Sequence, residues 1–124
     1  MNKLLPSELR RRLPVLHSQE GLDDPIVYAK FFFPLSGWTW FVTEGQQEGS
    51  DFIFFGHVIG FEAEWGYFSL RELEAVNING LTIERDEYFE SARISDCLLD
   101  LRSHGIKPSG GQSNSEQSRS RRGM

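Results

Sequence analysis

Three apolar runs separated by turn residues dominate the middle of the chain. Pro25 opens the first, a strand from Ile26 to Phe33. Pro34-Leu35-Ser36-Gly37 is turn chemistry. Trp38 to Thr43 follows, and its period of two puts Trp38, Trp40 and Val42 on one face and Thr39, Phe41 and Thr43 on the other. Residues 44–50, Glu-Gly-Gln-Gln-Glu-Gly-Ser, are expected to form a polar loop. Asp51 to Ile59 is apolar at odd and even positions alike, the mark of a strand covered on both sides. Gly56 and Gly60 point to a bulge or a close backbone approach. Three consecutive strands with short links predict an antiparallel meander.

Helical spacing flanks this block. Ser7 to Leu13 reads as a short helix with Ser7 as N-cap, Leu9 and Leu13 inward and Pro14 as its stop. Residues 17–24 read as a polar loop. Ser69-x-x-Glu72 is a capping-box pattern opening a helix through Val76, with Leu70, Leu73 and Val76 inward. Asn79-Gly80 marks a turn, and Leu81-Thr82-Ile83 a short strand. Residues 92–104 follow the i, i+3, i+4, i+7 rule through Ile94, Cys97, Leu98 and Leu101, with Gly105 as the stop. Residues 107–124 have no aliphatic residue before the terminal Met and are expected to be disordered.

Charge divides the chain. Residues 1–106 carry nine Lys or Arg and seventeen Asp or Glu, a net −8, whereas residues 107–124 carry four cations and one acid, a net +3. An acidic domain argues against a phosphate-binding face. One cysteine, Cys97, excludes an internal disulfide and a thiolate cluster. No signal-peptide core or membrane-spanning run is present, so a cytoplasmic protein is expected.

Candidate chemistry lies between residues 44 and 90, where eleven acids face Arg71 and Arg85. Glu62 and Glu64, two apart, would share a face if extended. They could hold a cation or divide acid–base roles, although two solvated acids explain them as well. Arg85, flanked by Glu84 and Asp86, fits an ion-pair network or a grip on a carboxylate or phosphate. His57 fits a satisfied core histidine better than a general base, and Cys97 a buried inert thiol. Trp38 and Trp40 could stack on bases, but the interleaved cations of such platforms are missing. No zinc spacing, nucleophile elbow or phosphate-binding loop occurs.

Several motifs in order carry a family resemblance. They are Leu9-Arg10-Arg11-Arg12-Leu13-Pro14, Asp24 to Phe32, Trp38 to Glu44, Phe55 to Gly60, Gly66 to Glu74 and Ile83 to Phe89. Over residues 3–90 the chain resembles the bacterial domain-of-unknown-function family numbered twenty-nine fifty-eight. The resemblance implies a small protein of plasmids, integrative elements or phage-like regions. It supplies no activity and no catalytic residues, and the chain beyond residue 90 departs from the short family pattern.

Together these readings predict one α+β domain over residues 1–106, followed by a disordered tail at 107–124. The domain is a small antiparallel sheet of three to five strands packed by short helices. The leading expectation for function is a non-enzymatic accessory module of a mobile element. Its acidic face, Glu62, Glu64, Glu72, Glu84, Asp86 and Glu87, would meet a basic protein, with Arg85 as a carboxylate or anion contact and with no metal or cofactor. One alternative is a small enzyme or metal-binding protein using Glu62, Glu64, His57 and Arg85. Another is weak single-stranded nucleic-acid binding through Trp38, Trp40 and the basic tail.

Overall fold

A computed structural model describes residues 3–103. Five antiparallel strands form the main sheet. Strands β2 (Ala29–Phe32), β3 (Thr39–Glu48) and β4 (Asp51–Ile59) are the expected meander. β5 (Ala63–Ser69) extends it by a strand that the sequence reading does not include, and β8 (Glu84–Arg85) closes the far edge against β2, giving the order β5-β4-β3-β2-β8. The α+β architecture is the one the sequence predicts. Among the described residues no helix is long and apolar enough to cross a membrane.

The apolar positions on both faces of β3 and β4 give the sheet two cores. Phe31, Trp40, Val42, Phe52, Phe54 and Phe68 fill the first face. Helix α1 (Ser7–Arg12) and α2 (Leu70–Glu74) cover it through Leu9 and Leu73. Phe54 is central here, with ring centroids 5.5 Å from both Phe31 and Phe68 and 5.2 Å from Phe52. Phe41 and Ile59 face the other way, toward α3 (Ile94–Ser103) and its stripe of Ile94, Cys97, Leu98 and Leu101.

The expected loop at 44–50 is strand instead. β3 runs on to Glu48 and turns tightly at Gly49, whose φ is 60°. A bulge makes this possible. Val42 and Glu44 pair with the successive residues Gly56 and Phe55, leaving Thr43 extra. The Thr43 hydroxyl donates to the Phe55 carbonyl at 3.0 Å. Glu44 is thereby turned inward and is fully buried, and its carboxylate accepts the backbone N–H of His17 at 2.6 Å and of Gln19 at 2.8 Å. A polar sequence is a strand here because a folded segment supplies the partners its carboxylate needs.

That folded segment explains a second departure. The strand expected from 26 to 33 breaks at Tyr28 into β1 (Ile26–Val27) and β2. The Gln19 amide bridges the break, donating to the carbonyls of Ile26 and Thr43 while its oxygen accepts the Ile26 N–H. β1 then pairs with β9 (Ala92–Arg93), so the last helix begins at Ile94 rather than 92. Asp24 caps it by accepting from the Ser95 N–H and hydroxyl. The stop at Gly105 and the tail at 107–124 lie outside the described residues.

Smaller differences have local causes. The N-cap of α1 is Pro6, without a side-chain bond, and Ser7 is the first helical residue. The capping box of Ser69 and Glu72 forms as expected, but α2 stops at Glu74 because Asn77–Ile78 (β6) pairs with Leu81–Thr82 (β7). Asn79 and Gly80, with φ of 55° and 89°, make that turn.

Two outcomes follow. A Cβ at Gly56 would sit 1.9 Å from the Phe41 carbonyl oxygen. Gly56→Ala should therefore lower unfolding free energy by about 3 kcal/mol or more, measured by denaturant titration; a loss within 0.5 kcal/mol would contradict the close approach. Glu44→Ala leaves two part-buried N–H groups without this acceptor, a cost of about 2 kcal/mol. The His17 and Gln19 amides should then exchange with solvent much faster than in the wild type.

Candidate functional site

The strand order decides which candidate residues can act together. Glu64 lies on β5 at one edge of the sheet, and Glu62 in the turn before it. Glu84 lies on β8 at the opposite edge, followed by Asp86 and Glu87. Four strand spacings separate the edges, about 19 Å. The Glu72 carboxylate accepts the Ser69 N–H at 2.9 Å within its capping box. The acidic residues thus fall into two groups, and Glu84, Asp86 and Glu87 are the ones brought together.

The residues of the enzyme alternative also separate. His57 is in register with Phe41 and Trp65, whereas Glu64 pairs with Val58, so the two side chains leave opposite faces of the sheet. Arg85 lies three strand spacings from His57, about 14 Å, and its Nε donates to the Lys3 carbonyl at 3.3 Å. Among the described residues no group of three His, Cys, Asp or Glu is placed to hold a metal ion.

His57 is a core histidine, but not a satisfied one. It is 1% exposed, its ring lies 5.0 Å from that of Trp65, and neither ring nitrogen has a hydrogen-bond partner. Burial pushes its pKa down to about 4. Cys97 is buried too, and burial first, then the charge of Asp96, pushes its thiol up to about 12. Trp40 belongs to the first core. Trp38 is half-buried between Trp40 at 5.8 Å and the exposed Phe61 at 5.5 Å. One ring of the expected stacking pair is therefore unavailable to a base.

A groove on the second face collects most of the polar chemistry. Two adjoining cavities, of about 480 and 420 Å³, share Lys30, Asp86 and Tyr88. β2 supplies Lys30 and Phe32, and Glu84 stands in register with Phe32. The Asp86 N–H continues that ladder to the Lys30 carbonyl at 2.9 Å. The Asp86 side chain then turns the chain, accepting the Tyr88 N–H at 2.9 Å, with its other oxygen 4.0 Å from the Lys30 ammonium. Tyr88 is left 92% exposed on the rim. α3 forms the opposite wall, with Asp96 and Asp100 one turn apart beside Cys97 and Leu101.

Across both cavities six carboxylates, Glu84, Asp86, Glu87, Glu90, Asp96 and Asp100, face two cations, Lys30 and Arg85. Such a groove favours cations, and the half-buried ring of Phe32 offers apolar surface to the alkyl stem of a Lys or Arg. Glu90, Asp96, Asp100 and Tyr88 were not singled out by sequence reasoning. The i, i+4 spacing of Asp96 and Asp100 along an apolar stripe was the available signal.

The unpartnered ring of His57 generates a pH dependence. The unfolded chain takes up this proton near 6.5 and the folded chain near 4. Stability is therefore full above about pH 6.5 and declines as pH falls toward 4, by roughly 3 kcal/mol in total. His57→Leu should flatten the decline between pH 6.5 and 4.5 in denaturant titrations. An unchanged slope would contradict the assignment.

No curated protein and no solved structure matches this chain. A family model described as "Protein of unknown function (DUF2958)" matches residues 4–105, which include both cores, the bulge and the groove; the match runs past residue 90, where the sequence reading ends the resemblance, and takes in α3. The chain therefore belongs to the DUF2958 family.

Proposed function

We propose that this chain is a non-catalytic, cytoplasmic accessory module of a bacterial mobile element whose acidic groove receives a basic segment of a partner protein. The carrying observation is the set of six carboxylates against two cations along one groove. The partner is a basic protein, with a nuclease, restriction or transfer component as the chemical class. In this reading the carboxylates take the role that nucleic-acid phosphates have for such a protein. Tyr88 on the rim adds a face for a cation–π contact.

The dispersal of Glu62, Glu64, His57 and Arg85 supports binding over catalysis, because no substrate could touch all four. The burial of Trp40 and the net −8 of residues 1–106 weigh against a nucleic-acid partner.

Affinity capture from the bacterial host at low salt tests this reading. Asp96→Asn combined with Glu87→Gln and Glu90→Gln should weaken capture of a basic partner by roughly tenfold or more, with a steep salt dependence. Glu62→Lys with Glu64→Lys, on the opposite edge, should leave capture unchanged. Loss confined to the Glu62 and Glu64 variant would overturn the assignment of the groove.

A further inference from the structure

We propose that the groove has a tethered occupant, the basic C-terminal segment of this same chain. Lys107, Arg119, Arg121 and Arg122 would enter the acidic groove and compete with the partner. The inference rests on the reading of the groove as a receptor for basic segments.

Connectivity carries it first. α3 is one wall of the groove and ends at Ser103, two residues after Leu101, which lines the larger cavity. The chain thus leaves the described domain beside the groove. Fifteen residues lie between Ser103 and Arg119, a stretch that can span at most about 55 Å. The helix wall is only about 15 Å long. The segment has ample length to double back along it.

Charge carries it second. Residues 107–124 hold four cations and one acid, opposite six carboxylates and two cations in the groove. Lacking aliphatic residues before Met124, the segment offers charge and hydrogen-bond donors rather than apolar anchors. The family match stops at residue 105, so the basic segment is an addition to the shared domain. Tethering gives such a segment an effective concentration of about 1 mM. A weakly basic competitor would find the groove occupied, and only a more highly charged partner would displace the segment.

A nitroxide on Ser120→Cys in the full chain tests this directly, since Cys97 is buried and its thiol resists labelling. At low salt the amide signals of Glu87, Glu90, Asp96 and Asp100 should broaden. Broadening should vanish in about 1 M salt, where screening acts within ~3 Å. It should also vanish when Lys107, Arg119, Arg121 and Arg122 are each replaced by Gln. Absent broadening at low salt, or broadening that survives those replacements, overturns the proposal.

A labelled peptide with the sequence of residues 107–124 separates this proposal from the receptor reading. It should bind the Gln-substituted chain at least tenfold more tightly than the wild type. Equal binding to both chains, lost on Asp96→Asn with Glu87→Gln and Glu90→Gln, would keep the receptor reading and reject the tethered occupant. Peptide binding to neither chain at low salt would overturn the receptor reading and the tethered occupant together.

Discussion

The buried carboxylate of Glu44 is the constraint on which the second face of this protein depends. A bulge at Thr43 turns it inward, and there it must be satisfied. The backbone of His17 and Gln19 does so, with His17 held at a φ of 75°. Once Gln19 is placed, its amide fixes Ile26 and Thr43, and β1 follows. β1 pairs with β9, and α3 starts where Ile94 N–H meets the Pro25 carbonyl at 2.9 Å. The wall of the acidic groove is thus positioned by a chain of hydrogen bonds that begins at one glutamate in the middle of a strand.

The groove itself forms because β8 and α3, close together in the sequence, flank Lys30 of β2. β8 brings Glu84 through Glu87, and α3 brings Asp96 and Asp100. Lys30 lies between them and pairs with Asp86, which tempers the repulsion among the carboxylates. The excess of carboxylates over cations is what the proposed basic ligand would use.

Much of the sheet was legible in the sequence. Period-two alternation separated Trp40 and Val42 from Phe41, and the two cores divide them in the same way. The apolar run from Asp51 to Ile59 became β4 with those boundaries, and Gly56 marked the bulge. The capping box at Ser69 and the stripe on α3 also stand as read. What the sequence hid was tertiary. Glu44 to Glu48 reads as a loop because its strand partners and the N–H groups that satisfy Glu44 lie elsewhere in the chain. His57 reads as satisfied because a missing partner leaves no sequence trace. The grouping of the acids was hidden for the same reason, since only the strand order reveals that β5 and β8 are opposite edges.

Hydrogen exchange of the chain, free and bound to its captured basic partner, tests the central claim most directly. The account predicts new protection concentrated in residues 84–101, the segments that line the groove. Protection confined to residues 62–69 at the opposite edge, with the groove exchanging as in the free chain, would contradict it.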